Sequence, residues 1–197
     1  MINLIGKKEQ IRKQALKRRK ELSETMRIAY SRKIAEQLLK HPLFLCAEEI
    51  YCYVPYREEV LTWEIIQTAW KCGKKVAVPK VLGDQDMEFY YIRSVEELSS
   101  GYCNISEPSG NPEDVAQGKN ALVILPGAVF DTMGNRIGYG KGFYDSYLKK
   151  HPEYHRVGIA FSVQCIELIP VEEHDIPAEF VFTERGILCQ DNYQKIL

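Results

Sequence analysis

Two apolar runs that each stop at a proline, Ile50 to Val54 before Pro55 and Lys75 to Pro79 with its V-A-V-P, restrict this chain more than any other feature. Apolar runs this short, with no polar alternation, suit strands buried on both faces of a sheet. Between them, Leu61, Ile65, Ile66, Ala69 and Trp70 mark one face of a helix that stops at Gly73, so the order is strand, helix, strand. Met87 to Ile92 and Ala121 to Leu125 read as further strands, Phe143 to Lys150 as a helix, Arg156 to Phe161 as a strand, and Ile176 to Leu188 as a late strand and turn. Lys7 to Lys40 reads as two helices broken near Leu22 and Ser23, because Ser23 is a good N-cap and Ile28, Ile34, Leu38 and Leu39 then recur at helical spacing. Alternating strands and helices predict a single α/β domain over residues 1–197, with a Rossmann-like, mostly parallel or mixed sheet covered by helices on both faces. The basic N-terminal helices are expected to pack onto that sheet.

Composition removes several classes. With 45% hydrophobic and 27% charged residues, the chain can bury a core and is not a disordered segment. Its most apolar stretch, Ala121 to Phe130, contains Pro126 and Gly127 and falls short of the roughly 20 residues a spanning helix needs. The start, M-I-N-L-I-G-K-K, turns charged too early for a secretory signal, so a cytoplasmic protein without membrane partners is expected. The six cysteines form no C-x-x-C pair and none has a histidine at zinc-ligand spacing, which predicts buried free thiols. Residues 1–40 carry 12 basic and 4 acidic side chains and the remainder 14 and 23, so the start of the chain is either an anion-binding surface or a solvated helical face.

The stretch Leu125 to Leu148 places Gly134, Gly138, Gly140 and Gly142 after a buried strand and before a helix. Such a loop can turn several backbone N–H groups toward one anion, and the helix N-terminus adds partial positive charge. Arg136 and Lys141 lie in the same loop, where a planar fork and a point charge can neutralise a polyphosphate. The alternative is a turn-rich connection. It is not a P-loop, because Gly142 follows Lys141 where Ser or Thr is required, and the dinucleotide fingerprint fails because Phe143 holds the place of its last glycine.

Pro126 through Asp145 match P-G-x-x-F-D-x-x-G-x-R-x-G-x-G-x-G-x-Y-D throughout, and in this the chain resembles the 5-formyltetrahydrofolate cyclo-ligases, also called methenyltetrahydrofolate synthetases. Lys8-x-x-x-Arg12, Glu59-x-x-Thr62 and His174-Asp175 with Pro177 resemble shorter elements of the same family in the same order. The resemblance implies ATP- and Mg²⁺-dependent ring closure of 5-formyltetrahydrofolate, with or without a polyglutamate tail, to 5,10-methenyltetrahydrofolate, ADP and phosphate.

The resemblance also implies the site residues. Arg136 and Lys141 would be catalytic, and Lys8, Arg12, Gly134, Asn135, Arg136, Ile137, Gly138, Tyr139, Gly140, Lys141 and Gly142 would bind ATP. Val54, Glu59 and Tyr144 would bind the folate, and Asp145 and Asp175 would ligate the metal. Each has a plainer reading. Lys8 and Arg12 share a helix face and can be solvated charge. Asp145 can cap a helix, Glu59 can merely start one, and Tyr139, Phe143, Tyr144 and Val54 can be core. His174 reads as structural, and Asp131 as a turn former beside glycines. A sugar-phosphate isomerase or CoA-transferase-like enzyme could use such a loop without ATP. An RNA-binding module is disfavoured because no aromatic-interleaved basic platform is present, so no nucleic-acid partner is expected. A monomer is expected.

Overall fold

The computed structural model describes residues 4–84 and 86–188, which leaves Cys189 outside the described residues. Helices α1 (Leu4–Lys20), α2 (Glu24–Leu38) and α3 (Pro42–Cys46) precede strand β1 (Glu49–Cys52). Helix α4 (Trp63–Lys71) then leads to β2 (Lys75–Val81) and β3 (Met87–Ile92). A hairpin of β4 (Leu98–Ser100) and β5 (Ser106–Pro108) comes before β6 (Ala121–Leu125), β7 (Val129–Asp131) and β8 (Arg136–Ile137). Helix α5 (Phe143–Lys150), β9 (His155–Ile159), β10 (Cys165–Ile166), β11 (Phe180–Thr183) and β12 (Gly186–Ile187) complete the order.

The main sheet has seven strands in the order β12-β11-β9-β6-β1-β2-β3. Its five inner strands are parallel, while β3 and β12 run antiparallel at the edges. Alternate residues of the central strands feed opposite cores. Ile50, Cys52, Leu122 and Ile124 pack with Ile34, Leu38, Ile65 and Ile66 of α2 and α4. Tyr51, Val123 and Leu125 pack with Phe89, Tyr147 and Leu148 on the other side. This accounts for the unalternating apolar runs, since both faces of these strands are buried. The cap at Ser23 is present, its Oγ accepting from the Met26 amide at 3.2 Å, and Gly73 follows α4 with φ +74°.

Two expectations need correction. Of the N-terminal helices, α2 packs on the main sheet at β11 as expected, whereas α1 packs on β7 of a separate three-stranded sheet, β10-β7-β8, and on the turn over 162–164. It does so through a small apolar cluster in which Ala15 meets Ala128, Val129, Ile137 and Ile169. Among the described side chains Ile11, Ala15 and Leu16 supply its apolar contact, a narrow stripe. The thiols are also not uniformly buried: Cys46, Cys72 and Cys103 are exposed, Cys52 is buried and Cys165 is partly covered. No helix among the described residues is long and apolar enough to cross a membrane.

After β1 the chain moves to β2 on one side, and after β6 it moves to β9 on the other, so the strand order reverses between these neighbours. The carboxyl ends of β1 and β6 therefore open onto the crevice where α/β sheets place ligands. Glu59 follows β1 and the glycine loop follows β6. Beneath the crevice, the Phe130 ring fills space left by Gly127 and Gly158, where an added Cβ would overlap it.

Candidate active site

The glycine loop begins as the β7–β8 hairpin, and Asp131 holds it in shape. This fully buried carboxylate accepts from the amides of Met133 and Asn135 at 2.9 Å each, from Asn135 Nδ2 at 3.0 Å and from the Ile169 amide at 3.1 Å. Four donors to one charge make Asp131 the organiser of the turn. Gly134 takes φ +81° and lies so close to Ala178 that a side chain would overlap the Ala178 carbonyl. The Ala178 amide donates to the Gly134 carbonyl at 2.8 Å, joining the loop to the segment that carries Asp175. Gly140 and Gly142 also take positive φ, and Gly142 starts α5 with no side-chain cap, which leaves the first amides of that helix available to an anion.

One face of α1 closes over this loop. Lys8, Arg12, Ala15 and Arg19 recur at helical spacing and point inward. Lys8 Nζ lies 2.7 Å from Glu172 and 2.6 Å from Asp175. Burial alone would lower the lysine pKa, but the bonds to Asp175 and Glu172 outweigh it and hold the ammonium above its ordinary value. Arg12 Nε donates to the Gly138 carbonyl at 2.8 Å, and its guanidinium lies beside Gly140. Arg19 Nη1 donates to the Tyr139 hydroxyl at 2.9 Å.

Arg136 is buried and pairs with Asp145 at 2.8 Å, and its guanidinium carbon stands 5.6 Å from the Tyr144 ring centroid. Asp145 Oδ1 also accepts from the Ile176 amide at 3.1 Å, so this acid bridges the loop and the late segment. Lys141 is exposed and makes no ion pair among the described residues. Asn135 and Ile137 are fixed by the hairpin, the first through Asp131 and the second in the apolar cluster under α1.

On the β1 side, the buried carboxylate of Glu59 accepts from the Tyr139 hydroxyl at 2.5 Å and from the Tyr56 amide at 3.1 Å. Burial raises its pKa, while the Tyr139 bond, the Arg19 charge and the Tyr56 amide oppose the rise. Thr62 donates to the Tyr53 carbonyl at 2.9 Å and so ties the ends of the Glu59 loop together. Val54 belongs to the core at the root of that loop. Among the described residues the Tyr144 hydroxyl, Arg136 Nε and Arg19 Nε are buried without a hydrogen-bond partner, as is the Tyr147 hydroxyl in the core under α5. Three unsatisfied donors around one crevice are atoms a polar ligand can complete.

Several residues stand elsewhere than their sequence suggested. Tyr139, grouped with the nucleotide loop, sends its hydroxyl to Glu59. His174 is an exposed ring 4.0 Å from Glu172, not a packed structural residue. Asp145 and Asp175 are each paired to a different cation, Arg136 and Lys8. Glu172 and Arg19 were missed. Arg19 lies seven positions after Arg12 on the face already marked by Lys8 and Arg12, and that spacing was the available signal.

A mostly parallel sheet with a glycine-rich, cation-lined loop at its switch point and a buried carboxylate across the crevice defines the class as an α/β protein with a polar crevice at the carboxyl ends of its strands. The matching profile narrows this class: residues 5–184 fit the 5-formyltetrahydrofolate cyclo-ligase family, and the chain belongs to that family. It is 30% identical to the mouse 5-formyltetrahydrofolate cyclo-ligase over 189 residues, covering 90% of this chain and 93% of the relative. It is 29% identical to the Escherichia coli 5-formyltetrahydrofolate cyclo-ligase, over 84% and 94% of the two chains. The solved structure of the Aquifex aeolicus 5,10-methenyltetrahydrofolate synthetase superposes with a TM-score of 0.76 at 34% identity, over 91% of each chain.

Proposed function

We propose that this chain closes the ring of 5-formyltetrahydrofolate to give 5,10-methenyltetrahydrofolate, consuming ATP and releasing ADP and phosphate. Family membership supports the reaction, and the convergence of the unsatisfied Tyr144, Arg136 and Arg19 atoms on the crevice between Glu59 and the glycine loop carries the assignment of the site. The formyl oxygen is a poor leaving group. It attacks the γ-phosphorus of ATP, the bond to ADP breaks, and the oxygen becomes a phosphate ester; N10 then attacks the formyl carbon, its proton passes to water, and phosphate departs with that oxygen. Such a transfer needs positioning and charge neutralisation and no protein nucleophile.

The chain supplies both. Lys8, Arg12 and the amides of Gly138, Gly140 and Gly142 hold the phosphates, with Gly134, Asn135 and Ile137 shaping the loop behind them, and Arg136 and Lys141 neutralise the charge that moves to the leaving oxygens. Glu59 accepts from the pterin N–H groups, over a floor set by Val54 and Tyr144. The donors Asp145, Asp175 and Glu172 are oxygens and suit a hard cation, so these residues would hold Mg²⁺, which adds phosphate neutralisation when bound. The ligand atoms of Glu172, His174 and Asp175 lie within 4.8 Å of one another, which supports the Glu172 and Asp175 part of that set. The same reading makes the chain a cytoplasmic, monomeric, single-domain enzyme that accepts polyglutamylated folate. Purified protein mixed with ATP, Mg²⁺ and 5-formyltetrahydrofolate should develop methenyltetrahydrofolate absorbance with one ADP per ring closed. Ring closure in nucleotide-free mixtures, or none with ATP present, overturns the proposal.

A further inference from the structure

Arg19 is nearly fully buried, at 5% exposure, yet it makes no ion pair among the described residues. Its Nη1 donates to the Tyr139 hydroxyl at 2.9 Å, and that hydroxyl donates to Glu59 Oε1 at 2.5 Å. The guanidinium carbon also stands 5.9 Å from the Tyr139 ring centroid. Both donors therefore point the same way, from cation to phenol to carboxylate, and join helix α1, the glycine loop and the loop after β1. The Tyr139 ring is half-exposed, so it is held by its hydroxyl more than by packing.

We infer that Arg19 is a positioning residue for the folate end of the site: acting through the Tyr139 hydroxyl, it fixes where the Glu59 carboxylate points. The helix that carries the nucleotide cations thereby also becomes a determinant of folate affinity. This rests on the reading of Glu59 as the folate acceptor. Glu59 receives the Tyr139 hydroxyl on Oε1 and the Tyr56 amide on Oε2, and each carboxylate oxygen can still accept from a ligand. A merely structural role for Arg19 is poorly supported, because α1 is already docked by the Ala15 cluster and by Arg12 on the Gly138 carbonyl.

The charges facing Glu59 fit the same arrangement. Burial favours its protonated form, as does Glu58 on its own loop, and the Tyr139 bond, the Arg19 charge and the Tyr56 amide oppose them. The other titratable groups that feel it are the buried phenols Tyr53, past the end of β1, and Tyr144 on α5. Without Arg19 or Tyr139, burial and Glu58 would keep the proton on Glu59 to higher pH. A neutral carboxyl is the weaker acceptor for ring N–H groups.

The test uses the full chain and the variants Arg19→Met, Arg19→Lys, Tyr139→Phe, Glu59→Gln and the Arg19→Met/Tyr139→Phe double variant. Initial rates are measured against each substrate across the acidic range, beside a thermal melt. Arg19→Met and Tyr139→Phe should each raise the folate KM about tenfold, with the ATP KM changed less than about twofold. The acidic limb of kcat/KM for folate should move up by about one pH unit, and Arg19→Lys should recover part of both effects. The double variant should raise the folate KM no further than Tyr139→Phe alone, because Arg19 positions Glu59 through that hydroxyl, while its acidic limb should move further because the Arg19 charge also acts on Glu59 directly. An unchanged folate KM and limb in Arg19→Met, or equal rises in both KM values with a lower melting temperature, overturns the relay. If Glu59→Gln itself leaves the folate KM unchanged, the assignment of Glu59 fails and the relay falls with it. A sensitive Glu59→Gln beside an indifferent Tyr139→Phe overturns the relay alone.

Discussion

Glu49 and Glu59 stand at opposite ends of β1, both buried and both bonded to tyrosine hydroxyls, but their surroundings differ. Glu49 Oε2 accepts from Tyr51 at 2.9 Å and Tyr91 at 2.6 Å, and its Oε1 lies 3.4 Å from Lys75 Nζ. Those phenols are themselves used, since the Gly118 amide donates to Tyr51 at 3.0 Å and the Gln117 amide to Tyr91 at 3.3 Å. Gly118 packs so tightly on Glu49 that a Cβ there would overlap the carboxylate. At the other end Glu59 bonds Tyr139, whose hydroxyl accepts from Arg19, and Arg19 Nε is buried without a partner among the described residues. A buried acid does not by itself mark a site. A closed network welds strands together, whereas an open one waits for a ligand.

The contrast can be broken at graded cost. The largest effect should come from the glycine loop: Lys141→Ala and Arg136→Ala should each lose ~2–4 kcal/mol of transition-state stabilisation, read as kcat at saturating substrates. Because Lys141 is exposed and Arg136 is buried against Asp145, only the second variant should also melt lower. Full activity in both folded variants would remove the chemistry from this end of the sheet. Next, Glu49→Ala strands two tyrosine hydroxyls and should cost ~2–3 kcal/mol of stability by denaturant titration, with both KM values unchanged in the folded protein.

Glu59→Gln should do the reverse, weakening folate binding by ~1.5–3 kcal/mol in calorimetric titration with ATP binding retained. Its pH dependence has a definite sign. Burial raises the folded pKa of Glu59, so its contribution to stability is greatest below the ordinary glutamate value and is lost as pH rises through the raised one. Relative to wild type, the Gln variant should therefore gain in melting temperature as pH rises. Folate affinity needs the carboxylate and should trend the other way in wild type alone. The smallest effect belongs to Tyr154→Phe, which removes a 2.7 Å bond to the Gly118 carbonyl and should lower stability by ~0.5–1.5 kcal/mol without touching either substrate. A change in folate KM there would undo the division between the two ends.

The main sheet was readable because its strands are buried on both faces and its helices carry apolar stripes, as in Ile65, Ile66 and Ala69. The small sheet was not, because β8 and β10 are two-residue strands and cannot display a period. The antiparallel direction of β3 was equally hidden, since pairing direction leaves no mark on one strand's composition. For the site, the glycine loop and Glu59 were visible as residues, but their partners were not. Tyr139 read as part of a phosphate loop, and only the fold brings its hydroxyl across to a glutamate 80 positions earlier. Arg19 and Glu172 were masked by ordinary surface-like contexts, a basic helix and an acidic turn.

The Phe130 ring fits only because positions 127 and 158 lack side chains. These three residues share one fixed volume, so none can drift by itself. An alanine at 158 would push the ring, and Phe130 directly precedes Asp131, the β7 residue whose carboxylate shapes the glycine loop. Inheritance of this crevice is thus constrained from below as well as from its lining. A lineage could enlarge 127 or 158 only with a simultaneous reduction at 130, and the intermediate with one change would strain the strand that leads into the glycine loop.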